Sequence, residues 1–162
     1  MTFKVINNFL SQEDFNVFKM QLPPKGSLPL KWYDRKDNCI YQNVISKFIK
    51  LAITEGYDLT EYAGYELWFH DNIKSEPHID KDEVLLKERD EYSLPICSII
   101  YYTTVKNLVG GKLIIEEEDT ITPKNNKLII FGPNVWHGIE DFTGIRRVFL
   151  VNIWKTKPMG YK

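Results

Sequence analysis

From Tyr62 onward the chain carries a succession of short runs rich in β-branched and aromatic residues: YELWFH, PICSIIYYTT, KLIIEE, DTIT, KLIIF and RRVFLVNIW. The turn-forming segments GG, PKNN, GPN and DFTG separate them. Upstream the period is helical. Ser11 can cap a helix with Asp14 three residues on, Phe15, Phe18 and Leu22 share one face, and Pro23 and Pro24 stop it. A second stripe, Tyr41, Val44, Ile45, Phe48, Leu51 and Ala52, is started by Asp37 or Asn38 and closed by Gly56. Short strands after two helices predict an α+β domain, with helices over about 1–60 bracing a β-sandwich or jelly roll (double-stranded β-helix) over 62–155.

Between the helices, PPKGSLPLKWYDRKDN has the prolines and glycine of a long loop holding Trp32 and Tyr33. The strongest hairpin signals are Val109-Gly110-Gly111 and Lys124-Asn125-Asn126-Lys127. The charged segment Lys81 to Ser93 reads as a short helix or a mobile loop, and it and the loop Pro23 to Asn38 are candidate covers for a pocket.

At 162 residues, 43% hydrophobic and 27% charged, the chain has the length and composition of one globular domain. Net charge is -1 and no stretch concentrates Lys and Arg, which argues against a nucleic-acid partner. Two cysteines, Cys39 and Cys97, are too few for a disulfide framework, so a reduced, cytoplasmic setting is expected. The opening MTFKVINNFLSQEDF lacks the apolar run of a signal peptide, and no segment approaches the roughly 20 apolar residues that span a bilayer.

Only three histidines are present, His70, His78 and His137. His78 and Asp80, two apart on an extended segment, point to one face about 6.6 Å apart along the strand, where both can reach one metal ion. Chance gives about 0.4 His-x-acid pairs in a chain of this composition, so the pair alone decides little. His137 follows the apolar strand LIIF and the turn GPNVW. Two imidazoles and one carboxylate form the facial triad used for non-haem Fe(II), leaving positions open for co-substrate and oxygen. Farther on, GIRRVFLVNIW places Arg146, Val148, Leu150, Asn152 and Trp154 on one strand face and Arg147, Phe149, Val151 and Ile153 on the other. Either face could be the inner one, and a buried guanidinium requires an anion. His70 is assigned to structure.

In this order the features resemble the Fe(II)/2-oxoglutarate-dependent dioxygenases, most closely the compact prolyl-4-hydroxylase-like branch, over about residues 62–154. His78-x-Asp80 resembles the proximal metal pair, Ser98 to Tyr102 and Gly110-Gly111-Lys112-Leu113 the family's strand and hairpin, and Trp136-His137-Gly138 the distal histidine. The resemblance implies Fe(II) held by His78, Asp80 and His137, with 2-oxoglutarate and O2 as co-substrates. It also implies an Arg gripping the far carboxylate of 2-oxoglutarate: Arg146, followed by the smaller Val148, fits best, with Arg147 in reserve. Tyr101 or Tyr102 could add a hydrogen bond, and Tyr101 matches the family position better. The implied reaction is hydroxylation of a C–H bond in a peptidyl residue or free amino acid. A cupin-like metal-dependent isomerase would lack its His-x-His pair and leave the arginine unexplained. A non-catalytic jelly-roll binding protein would leave the metal ligands without a role.

Overall fold

In the computed structural model, which describes residues 3–161, the two helical stripes are α1 (Gln12–Gln21) and α2 (Gln42–Thr54). Ser11 caps α1 by accepting the Asp14 amide at 3.1 Å. α2 starts later than Asp37 or Asn38, because the Asp37 carboxylate is used in a turn, accepting the Asp34 amide at 2.9 Å. Gly56, at φ +92°, ends it in a backbone conformation that favours glycine. A third helix, α3 (Glu83–Arg89), settles the charged segment: Asp82 caps it by accepting the Leu85 amide at 3.0 Å. No described helix is long and apolar enough to cross a membrane.

Nine strands are described: β1 (Phe3–Ile6), β2 (Leu28–Asp34), β3 (Gly64–Asp71), β4 (Cys97–Gly110), β5 (Leu113–Ile115), β6 (Asp119–Ile121), β7 (Leu128–Phe131), β8 (His137–Ile139) and β9 (Phe142–Trp154). One antiparallel sheet has the order β1-β7-β4-β9-β3-β2, and a second the order β6-β5-β8. Trp32 and Tyr33 lie on β2, paired to Glu66 and Tyr65 of β3, rather than in a loop. Pro29 sits within β2, an edge strand, where a missing N–H is tolerated.

The two glycine- and asparagine-rich turns are also not hairpins. Gly110 and Gly111 carry the chain from β4 in the large sheet to β5 in the small one, and Lys124 to Lys127 return it from β6 to β7. Their positive φ values bend the backbone sharply, +75° and +71° at the glycines and +63° at Asn126, but the strands on either side belong to different sheets.

Alternation along β4 and β9 divides the interior. Tyr101, Phe149, Val151 and Ile153 pack against Phe15, Phe18 and Phe48 of the helices. Ile100, Tyr102 and Val148 pack against Leu113 and Ile115 of the small sheet. Each fully buried large apolar side chain stabilises the fold by about 1.5–3 kcal/mol relative to exposure, so both faces hold the sheet in register. The cavity between the sheets opens among the residues of this second cluster.

Candidate metal centre

The backbone brings the two histidines together. His78 N–H donates to the His137 carbonyl at 2.8 Å, and His137 N–H to the His78 carbonyl at 2.9 Å, an isolated antiparallel bridge. Residues directly opposite in such a bridge project to the same side. β8 is itself fixed by β5, with His137 opposite Ile115. Gly138 is small for a steric reason: a Cβ there would lie 2.9 Å from the Cα of Pro77, in the segment that delivers His78.

His78, Asp80 and His137 present ligand atoms within 4.8 Å of one another. Asp80 Oδ1 lies 3.2 Å from His78 Nε2 and 3.7 Å from His137 Nε2. Each imidazole donates its Nδ1–H to a backbone carbonyl, His78 to Glu76 at 2.7 Å and His137 to Val135 at 3.0 Å. With Nδ1 carrying the proton, the Nε2 lone pair is left for a metal. Ser98 donates to Asp80 Oδ2 at 2.9 Å, which leaves Oδ1 turned toward the histidines. Burial lowers the His137 pKa despite the neighbouring Asp80, favouring the neutral ring that a metal requires. Burial works to raise the Asp80 carboxyl, but hydrogen bonding and charge from the histidines hold it below its ordinary value. The donor set of two nitrogens and one carboxylate oxygen, with oriented supporting bonds, fits a divalent transition metal.

On β9 the face carrying Arg146, Val148, Leu150 and Asn152 is the inner one: all four line the cavity that holds His78, Asp80 and His137. Arg146 is only 2% exposed. Its Nε donates to the Gly111 carbonyl at 3.1 Å and its Nη2 to the Tyr102 hydroxyl at 3.2 Å, and among the described residues no carboxylate pairs with it.

Arg147 and Tyr101 are placed elsewhere. Arg147 points to the opposite face, with its Nη2 donating to the Pro23 carbonyl at 2.6 Å and its Nε 3.6 Å from Asp71. Tyr101 is enclosed by Phe9, Phe15, Phe18 and Phe48, and its hydroxyl donates to Asn126 Oδ1 at 2.6 Å. Period-two alternation is the reason: Ser98 and Ile100 line the cavity and Tyr102 packs on the same side with the small sheet, while Ile99 and Tyr101 belong to the cluster under the helices. The tyrosine beside the buried arginine is therefore Tyr102.

His70, assigned to structure by sequence, also lines the cavity, on the inner face of β3 with Glu66 and Trp68. Burial first, and then the Arg146 charge, lower its pKa. Its alternation with apolar Leu67 and Phe69 was the available signal.

Comparison with solved structures follows this architecture closely. A prolyl-4-hydroxylase of Pseudomonas putida superposes with a TM-score of 0.66 at 16% identity, covering 96% of this chain and 94% of that one. The viral collagen prolyl hydroxylase of Paramecium Bursaria Chlorella virus-1, in its 2OG complex, gives 0.67 at 15% identity, with 97% of each chain covered. The chain has the prolyl-4-hydroxylase fold. A Trichoplax adhaerens prolyl hydroxylase, in complex with a hypoxia inducible factor peptide fragment, shares that fold at a TM-score of 0.58 and 16% identity, covering 99% of this chain and 87% of that one. No protein-family model and no curated protein sequence matches the chain.

Proposed function

We propose that the protein is an Fe(II)- and 2-oxoglutarate-dependent oxygenase that hydroxylates a C–H bond of a peptidyl residue or free amino acid, on a double-stranded β-helix formed by the two facing sheets. The observation that carries this reading is the shared cavity: a His-Asp-His cluster and a buried arginine without a protein anion line the same space. A cation placed there has an unmet need for a carboxylate, and a small diacid that also chelates a metal supplies one at each end.

In this reading His78 Nε2, His137 Nε2 and Asp80 Oδ1 hold the metal. The carbonyls of Glu76 and Val135 fix the two ring orientations, and Ser98 fixes the carboxylate. Arg146 binds the far carboxylate of 2-oxoglutarate. Two of its five N–H groups are committed, to Gly111 and Tyr102, so the others remain for charge-assisted bonds. Because the Tyr102 oxygen accepts from Arg146, its own proton is available to the same carboxylate. Ile100, Leu113, Phe131 and Val148 line the cavity and exclude water from it. When bound, the ferrous ion supplies oxygen activation coupled to conversion of 2-oxoglutarate to succinate and CO2, with one oxygen atom passing to the substrate. The protein's share is orientation and a dry wall.

The fold shared with prolyl hydroxylases, one of them in complex with 2OG and another with a peptide fragment, supports the co-substrate and the kind of substrate. Incubating the protein with Fe(II), ascorbate and 2-oxoglutarate tests it. Succinate formation that stops when a chelator removes the iron is the expected result, and Fe(II)-loaded protein that leaves 2-oxoglutarate unconsumed with every peptide and amino acid supplied would refute it.

A further inference from the structure

Beside the metal ligands, and lined in part by His78 and Asp80, lies a cleft of about 670 Å³, within the usual range for a ligand site. His78 and Asp80 form one wall, and β3 forms another through Glu66, Trp68 and His70. Glu66 is unusual among these residues. A carboxylate is seldom buried without a cation beside it, yet Glu66 is only 8% exposed and among the described residues no Lys, Arg or His forms an ion pair with it. Its hydrogen-bond donors are neutral: Trp154 Nε1 reaches Oε2 at 2.8 Å and the Tyr161 hydroxyl reaches Oε1 at 3.0 Å. These fix the carboxylate in place without balancing its charge.

The rest of the cleft does not supply the missing charge. Lys81 is paired with Glu83 at 3.1 Å, and Asp80 is committed to the histidines. Burial raises the Glu66 carboxyl above its ordinary value, against the lowering hydrogen bonds of Tyr161, Trp154 and the neutral Asn152 amide, and the negative Asp80 raises it further. Two residues along the same strand face, the half-buried indole of Trp68 lines the cleft, with no cation of the described chain over its ring. A fixed carboxylate beside an aromatic face is the pairing that recognises an organic ammonium group.

We propose that Glu66 and Trp68 form a receptor for a cationic nitrogen of the substrate, holding an alkylammonium group in the cleft so that a carbon of the same molecule faces the metal centre. This rests on the oxygenase reading for identifying the cleft as the substrate's entrance. It narrows the substrate to an amine-bearing one, either the α-ammonium of a free amino acid or the side-chain ammonium of a peptidyl residue.

Calorimetric titration of the protein, with Mn(II) and 2-oxoglutarate present, separates these sources. The probes are Nα-acetyl-lysine amide, whose only charge is on the side chain, norleucine amide, whose only charge is the α-ammonium, and the neutral Nα-acetyl-norleucine amide. One of the two cations should bind at least tenfold more tightly than the neutral probe, and which one does so identifies the source of the nitrogen. Glu66→Gln should abolish that preference while Trp68→Leu reduces it severalfold. Equal binding of all three probes by the unaltered protein, binding of none of them, or an undiminished preference in a folded Glu66→Gln protein would overturn the proposal. A cation preference in a protein that consumes no 2-oxoglutarate with Fe(II) would support the receptor and remove the oxygenase reading. Consumption without any preference would do the reverse.

Discussion

Two adjacent arginines on one strand, Arg146 and Arg147, end up in different environments. Arg146 is sealed in the cavity beside Tyr102, whereas Arg147 is tied to the Pro23 carbonyl on the other face. Losing a buried charge-assisted pair costs about 2–3 kcal/mol. Arg146→Ala should therefore raise the 2-oxoglutarate concentration needed for half-maximal succinate formation by about 100-fold, and Arg147→Ala should leave it within about threefold. Asn126 carries a different load. Its Oδ1 accepts from the Leu10 amide at 3.0 Å and from Tyr101 at 2.6 Å, and its Nδ2 donates to the Leu10 carbonyl at 2.8 Å. Asn126→Ala leaves these buried partners unsatisfied, and thermal unfolding should show a loss of about 3 kcal/mol. His70 gives a pH signature. Burial and the Arg146 charge depress its pKa from 6.5, so the folded state disfavours its protonated form. Its contribution to stability is complete above pH 6.5 and is lost as pH falls below that value toward the folded pKa. An NMR titration should find the His70 midpoint below 6.5 and moved upward in Arg146→Ala; a midpoint at or above the ordinary value would contradict this account of its surroundings.

Among the elements, the bridge between the His78 segment and β8 determines whether the metal ligands converge. Gly138→Ala places a Cβ against Pro77 and should push that segment away, weakening Mn(II) binding by about 10–100-fold in a calorimetric titration, comparable to loss of a supporting bond. Unchanged affinity would mean that the segment adapts freely. Sequence alone revealed much at this scale, for identifiable reasons. The Ser11 cap, the α2 stripe and the two faces of β9 follow from local period and chemistry, and they appear as read. What escaped was non-local. β2 contains Pro29 and follows a glycine, so only its pairing with β3 identifies it as a strand. The hairpin between β5 and β6 turns through Glu116 and Glu117 at φ +53° and +66°, residues that carry no turn signal. At the site, both strand faces of β4 are rich in bulky residues, so Tyr101 and Tyr102 could not be separated until the helices were seen to cover one of them.

For the molecule as a whole, two sheets and a helical layer create two interiors with different tasks, an apolar one between helices and sheet and one between the sheets whose largely apolar wall carries His78, Asp80, His137 and Arg146. The thiols report on the first. Cys97 is fully buried and its thiol is pushed up to about 12 by burial, whereas Cys39 is partly exposed. A thiol reagent at pH 8 should modify Cys39 alone in the native protein and both cysteines after unfolding. In the second interior, the proposed function has one cavity bind a ferrous ion through His78, Asp80 and His137 and seat 2-oxoglutarate on Arg146. Visible absorption of the anaerobic Fe(II)-loaded protein measures this directly. Adding 2-oxoglutarate should produce a charge-transfer band that saturates with co-substrate, is absent in His137→Ala, and requires far more 2-oxoglutarate in Arg146→Ala. A protein that binds iron stoichiometrically yet develops no band, or a band indifferent to both substitutions, would contradict the account.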